Sequence, residues 1–294
     1  MQRRRDETHP VERKNMRTSK FHRGLSGLAI LVSSAVATPA FAQEEEAKPP
    51  VTITGSVGLV SDYRFRGVSQ SDEGVAVQGG FTVNHESGFY VGTWGSNLAG
   101  WGTFGGPNLE VDLFAGYATT VGSAGIDVGV TWYMYPDGFD NTDFFEGYAK
   151  LKGTAGPVSL TAAVYYAPKQ EALGNFSNTP FSRGQKEDNL YLAGDASIGI
   201  PGTPVSLTAH VGYSEGNPGL GPNGTSVTPT GEYWDYSFGA AVNVYGPLTL
   251  SVTYVDTDIG VAESAYLLPN FQKFRTGGGQ IADSAIVFAA TAAF

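Results

Sequence analysis

In the stretch Leu109-Glu110-Val111-Asp112-Leu113-Phe114-Ala115-Gly116-Tyr117, Leu109, Val111, Leu113, Ala115 and Tyr117 alternate with Glu110, Asp112, Phe114 and Gly116. Successive side chains on a strand point to opposite faces, so this segment presents an apolar face to one environment and a polar face to another. The pattern recurs at Val205, Leu207, Ala209, Val211 and Tyr213 against Ser206, Thr208, His210 and Gly212, and at Leu248, Leu250, Val252 and Tyr254 against Thr249, Ser251 and Thr253. From Val51 to Phe294 the chain carries about twelve such segments, joined by connectors that are alternately tight and long. This rhythm predicts an all-β fold, a transmembrane antiparallel up-and-down β-barrel. A soluble β-sandwich also alternates, so the two ends of the chain decide between them.

At the N-terminus Arg17, Lys20 and Arg23 precede an apolar run over 24–37, and Ala40-Phe41-Ala42 follows with small residues two apart. That is the layout of a secretory signal peptide over residues 1–42, with cleavage after Ala42. The run is too short to span a bilayer as a helix, which takes about 18 residues or more. The charged residues 1–15 lie upstream of Met16, which reads as the true start; a long charged leader is the alternative. Gln43-Glu44-Glu45-Glu46 with Pro49 and Pro50 reads as a disordered periplasmic lead-in over 43–51, leaving 52–294 for the barrel. At the other end Ile286, Phe288, Ala290, Ala292 and Phe294 alternate to the last residue. Closed barrels and helices are the backbones able to span lipid. A strand ending on Phe294 therefore points to the bacterial outer membrane, with its lipid and the barrel-insertion machinery as expected partners.

Composition agrees. There is no cysteine, so an exported chain must draw its stability from a sheet without edges rather than from disulfides. Forty glycines with abundant Tyr and Phe suit tight turns and interfacial aromatic girdles. Removing the eight basic and three acidic residues of 1–42 leaves 10 basic and 25 acidic side chains, a net charge of −15. Nucleic-acid binding needs a positive surface and is excluded on that ground.

Strands are predicted near 52–67, 75–85, 88–98, 107–120, 124–135, 142–153, 157–168, 187–200, 203–215, 232–245, 247–258 and 282–294. Tight Gly- and Pro-containing turns fall at 85–88, 121–125, 153–157, 201–204 and 245–247. Longer connectors at 98–106, 136–141, 168–186, 216–231 and 259–281 go to the other end, which puts both termini in the periplasm and the long loops outside the cell.

With apolar positions facing lipid, the opposite parity lines a lumen. On the first strand that set is Asp62, Arg64 and Arg66. Elsewhere it includes Gln78, Glu110, Asp112, Asp127, Tyr133, Glu146, Tyr148, Lys150, Asp195, His210 and Asp235. Charges of this density argue for a wet lumen or for paired networks. In one reading Arg64 and Arg66 face carboxylates across a narrow aqueous path, as in selective pores. In the other they pair with Asp62, Glu110 or Asp112 and brace or plug the wall. About twelve strands permits a small pore without demanding one.

Enzymatic chemistry finds no support. Only His85 and His210 survive signal cleavage. His85 sits in a turn, and His210 shares its strand face with Ser206 and Thr208, which is no triad. Asp137, Asp140, Asn141, Asp143 and Glu146 offer oxygen ligands, but their spacing is not that of a calcium loop, and they read as a solvated surface loop. No cofactor is implied.

Ser61-Asp62-Tyr63-Arg64-Phe65-Arg66-Gly67-Val68-Ser69-Gln70, then Gln78-Gly79-Gly80 and Gly88-Phe89-Tyr90-Val91-Gly92-Thr93-Trp94-Gly95-Ser96-Asn97, resembles the TorF family of outer-membrane porins. Glu110, Gly116-Tyr117 and Tyr133-Met134-Tyr135-Pro136 continue the likeness, which is most specific over residues 55–152. The resemblance implies a barrel that passes small solutes and names no substrate. The expectation is an outer-membrane porin giving passive diffusion of small hydrophilic solutes or ions. The alternative is a non-conducting structural or binding barrel that works through its long outer loops.

Overall fold

The computed structural model describes residues 49–104, 106, 108–138, 141–174, 184–218, 220, 224–273 and 279–294. The expected signal peptide, Met16, Asp140 and most of the lead-in lie outside them. Fourteen strands follow in order: β1 (Val51–Val60), β2 (Arg64–Phe65), β3 (Val68–Ser69), β4 (Ala76–His85), β5 (Phe89–Asn97), β6 (Leu109–Val121), β7 (Ala124–Met134), β8 (Phe144–Ala155), β9 (Val158–Gln170), β10 (Glu187–Gly199), β11 (Val205–Glu215), β12 (Glu232–Tyr245), β13 (Leu248–Thr257) and β14 (Ala285–Ala293). All except β2 and β3 form one closed antiparallel barrel in which each strand pairs with its sequence neighbours and β14 returns to β1. The closing register runs from Ser56 opposite Ala293 to Val60 opposite Ala289. Phe294 completes it by exchanging two backbone hydrogen bonds with Gly55, at 2.8 and 2.9 Å.

The period-2 pattern sorts the side chains as anticipated. Ile53, Val57, Phe81, Val91, Leu113, Val130, Leu151, Leu207, Val252 and Phe288 project outward and are exposed. Outward aromatic pairs stand near both rims: Phe89 with Tyr117 at the tight-turn end, Trp132 with Phe145 and Tyr213 with Trp234 at the long-loop end. This is the apolar band with aromatic girdles that lipid requires. At the tight-turn end Gly122, Gly156 and Gly246 take φ of +63°, +60° and +52°, as two-residue hairpin turns need.

The first strand is shorter than expected. It was predicted to run to residue 67, but β1 stops at Val60, and residues 61–75 fold into the lumen around the β2–β3 hairpin. The pairs Arg64–Ser69 and Phe65–Val68 leave Arg66 and Gly67 as a two-residue turn with φ of 49° and 81°. Alternating Asp, Arg and Arg looked like the wet face of a wall strand. In fact Arg66-Gly67 is a turn, with arginine at a site where Asn or Asp before Gly is the usual choice. The other eleven barrel strands lie within three residues of their predicted limits.

Arginine placed on the outer face should lose stability according to depth. Val130→Arg, near the middle of β7, is expected to cost about 2–4 kcal/mol, and Val121→Arg, at the rim, no more than about 1 kcal/mol. Equilibrium guanidinium unfolding from lipid vesicles measures both, and equal costs would refute the assigned span.

Candidate functional site

The inward hairpin is held together by its own polar network. Asp62 accepts from Arg64 Nε at 2.5 Å, from Ser69 Oγ at 2.6 Å and from Ser71 Oγ at 3.3 Å. Arg64 Nη1 also donates to the carbonyls of Gly67, Ile281 and Asp283 at 2.9, 2.8 and 3.0 Å. Backbone bonds from Ser69 N to Ile281 O and from Ala99 N to Gln70 O tie the segment to two outer loops. Lys273 Nζ lies 2.9 Å from Glu73.

The tip reaches the barrel wall. Arg66 Nη2 donates to Glu146 on β8 at 2.5 Å and Nη1 to Asn189 on β10 at 2.5 Å, while the guanidinium stacks 4.2 Å above the Tyr191 ring. Tyr133 donates to the second Glu146 oxygen at 3.2 Å, and Tyr233 donates to Arg66 O at 3.0 Å. Arg66 is 8% exposed and Glu146 1%. Both charges are desolvated, so each depends on the other and on the hydrogen bonds that fill its remaining sites.

The remaining predicted luminal residues all lie on wall strands. Gln78 Nε2 donates to Ser96 Oγ at 3.4 Å. Glu110 accepts from Tyr63 at 3.2 Å. Burial, and after it the Glu110 and Asp112 carboxylates, push the Tyr63 phenol well above its ordinary value, so it remains a donor. Asp112 Oδ1 and Trp94 Nε1 are buried without a hydrogen-bond partner among the described residues. Asp127 accepts from Tyr90 at 2.6 Å and from Lys152 at 2.9 Å. Lys150 Nζ rests 4.1 Å from the Tyr148 ring centre and 5.1 Å from that of Tyr165, also with no hydrogen-bond partner among the described residues. His210 bridges Asp195 and Asp235, with Nδ1 at 2.7 Å from the first and Nε2 at 3.1 Å from the second, and lies 2.9 Å from Tyr191 OH.

Two details of the sequence reading change. Arg64 does pair with Asp62, but Arg66 meets Glu146 directly rather than Glu110, Asp112 or a carboxylate across water. Glu146, read both as an inward wall residue and as part of the acidic loop, belongs to the wall strand β8, and Asp143 accepts from Tyr135 N at 2.9 Å. No group of three or more His, Cys, Asp or Glu that could hold a metal occurs among the described residues.

Sequence reasoning missed Asn189, Lys152, Tyr90, Tyr165 and Tyr191. The readable signal was glycine at an inward position beside an inward tyrosine. A Cβ at Gly129 would collide with the Tyr148 hydroxyl, and one at Gly212 with that of Tyr191, so these glycines let the phenol rings lie flat along the wall.

The two halves of the lumen differ. Towards the long loops, Tyr63 and Phe65 of the hairpin pack with Val60, Ala76, Tyr133, Phe144 and Val287 of the wall. Above them Val68, Trp101, Ile259, Phe271 and Ile281 form an apolar cap. A cavity of about 10 Å³ between Leu173, Asn189, Asn217 and Thr228 has room for one water at most. Towards the tight turns the inward residues of β11–β14 are small, including Thr208, Ser237, Gly239, Ser251, Thr253 and Thr291. The side chains of Lys152, Asp195 and His210 are 22%, 50% and 24% exposed, so this half is wetted.

A closed twelve-stranded antiparallel barrel, apolar outside and charged within, is the architecture of outer-membrane-type β-barrels. The chain belongs to the family described as "Bacterial protein of unknown function (Gcw_chp)", which matches residues 44–294. Among solved structures it is similar to a NanC porin at 11% identity, with a TM-score of 0.50 over 83% of this chain and 99% of that one. A KdgM porin in complex with disordered oligogalacturonate gives 8% identity and a TM-score of 0.45 over 82% and 97% of the two chains. The outer membrane channel DcaP of Acinetobacter baumannii gives 9% identity and 0.37 over 83% and 97%. No curated protein matches the chain.

The two luminal lysines should respond oppositely to truncation. Lys152→Met strips Asp127 of its ammonium and is expected to cost about 1–3 kcal/mol. Lys150→Met removes a buried cation that makes no hydrogen bond and is expected to hold or raise stability. Guanidinium unfolding of the two variants side by side checks this, and an equal loss in both would contradict the assigned pairing.

Proposed function

We propose that this protein is a passive diffusion channel of the bacterial outer membrane for small hydrophilic solutes or ions. The signal-peptide-like leader and the strand closing on Phe294 support export and insertion by the barrel-assembly route. The TorF-like stretch over residues 55–152 supports the same reading. The observation that carries it is a closed barrel whose tight-turn half keeps Lys152, Asp195 and His210 in contact with water. A barrel serving only as an anchor has no need of a charged, wetted interior.

Selectivity follows from the fixed charges. Glu110, Asp112, Asp127, Glu146, Asp195 and Asp235 face the lumen against Arg66, Lys150 and Lys152, with His210 between two of the carboxylates. The acidic excess favours cations. No covalent chemistry is assigned: both nitrogens of His210 are engaged with carboxylates, and the hydroxyl beside it, that of Tyr191, donates to Asp235.

One observation favours a second reading, a non-conducting barrel that holds a partner through its outer loops: the hairpin fills the long-loop half of the lumen. Planar-bilayer recording of the mature chain decides between the two. Discrete conductance steps with a cation-selective reversal potential under a salt gradient are expected. Anion selectivity at low salt would reject the charge assignment. Silence from verifiably inserted protein, both of the mature chain and of a variant in which a short linker replaces residues 62–74, would favour the second reading.

A further inference from the structure

The hairpin is attached to the rest of the molecule in two different ways. Its bonds to the outer loops include main-chain contacts, Ser69 N to Ile281 O at 3.1 Å and Ala99 N to Gln70 O at 3.0 Å. Among the described residues, the hydrogen bonds that tie the hairpin segment to barrel strands pass through side chains. These run from Tyr63 to Glu110, from Arg66 to Glu146 and Asn189, and from Tyr233 to Arg66 O. Asp62, Arg64, Ser69 and Ser71 meanwhile bind the hairpin to itself. A unit with its own internal network, and no ladder to the wall, can leave the lumen without breaking the barrel.

The chemistry of the tip points the same way. A two-residue turn with both φ values positive favours Asn-Gly, yet Arg66 precedes Gly67. The left-handed backbone disfavours arginine, and what it gains is a guanidinium delivered to the opposite wall, where Glu146, Asn189 and Tyr191 receive it. That cradle spans β8 and β10, so this one side chain ties the hairpin tip to two wall strands.

We propose that the β2–β3 hairpin is a gate and that Arg66, seated on Glu146 and Asn189, is its latch. The gate rests on the channel reading and deepens it: the described state is the closed one, and release of Arg66 lets the hairpin and its tethered outer loops move out of the lumen as one body.

The test uses the full mature chain in planar bilayers and in vesicles. Arg66→Asn keeps a residue the turn favours and removes the guanidinium, while Glu146→Gln removes the charge it meets. Both are expected to raise open probability at least tenfold over the parent, with Arg66→Lys intermediate. Because the chain has no cysteine, Val68→Cys on the hairpin, buried at 2% exposure, supplies a single thiol. Its labelling by a membrane-impermeant reagent from the long-loop side should speed up at least tenfold when combined with either latch variant. A third protein replaces residues 62–74 with a short Gly-Ser linker and reports the unplugged barrel. If it conducts steadily while the latch variants open and label like the parent, the latch is wrong and the channel stands. If it inserts but stays silent, the channel reading falls and takes the gate with it. Should that deletion fail to fold, the labelling of Val68→Cys in the Arg66→Asn and Glu146→Gln backgrounds still decides the latch: unchanged rates overturn it.

Discussion

Lipid offers no hydrogen bonds, and this single constraint organises the molecule. Each backbone amide and carbonyl within the hydrocarbon must be satisfied by the protein itself, so a strand-built span has to close. Closure here is completed by the last residue, whose amide and carbonyl both pair with Gly55. Once the sheet is closed, alternation leaves no freedom of orientation: what is apolar at one parity faces lipid, and whatever stands at the other parity is enclosed. Enclosure is what turns an ordinary set of Asp, Glu, Lys and Arg side chains into an electrostatic problem.

That problem is met by pairing across strands. Lys152 on β8 reaches Asp127 on β7, His210 on β11 is shared by Asp195 on β10 and Asp235 on β12, and Arg66 enters from the hairpin to meet Glu146. The tyrosines of the wall serve the same end, since Tyr90, Tyr133 and Tyr191 donate hydroxyl protons to the second oxygens of these same carboxylates, Asp127, Glu146 and Asp235. Leftover groups mark where the network is incomplete. Asp112 Oδ1 and Lys150 Nζ are buried without hydrogen bonds among the described residues, the second relying on two aromatic faces. Such residual strain in a polar interior costs stability that a purely structural barrel could have kept by filling the same space with apolar groups.

How much of this was legible in the sequence depended on the period of the signal. Wall strands announce themselves because lipid enforces alternation over their whole length, as in Leu109–Tyr117. Parity alone also put Glu110, Asp112, Asp127, Glu146, Lys150 and His210 on the inward face; the first five are buried, and His210 sits between two wall carboxylates. Residues 61–67 misled because charges two apart satisfy a wall strand and a strand inside the lumen equally, and alternation carries no information about which sheet a strand joins. Arg66-Gly67 held the decisive hint, a two-residue turn written with an unusual first residue. Partners such as Asn189 were invisible for a different reason: they are fixed by which wall position faces the hairpin tip, a three-dimensional coincidence between residues 123 positions apart.

Where movement is possible follows from the same reasoning. A wall strand cannot leave its place without exposing a row of backbone groups to hydrocarbon, so the barrel has no soft direction of its own. Residues 62–74 are under no such restriction: their own polar groups are largely met within the hairpin, and on release Arg66 would find water at the outer mouth and Glu146 in the vacated lumen. The desolvation that makes their pairing tight also means that, once separated, both regain hydration, which narrows the free-energy difference between the seated and released forms. In a closed barrel with a packed outer half, any change in permeability must therefore fall on the segment held by side chains rather than on the segments held by ladders.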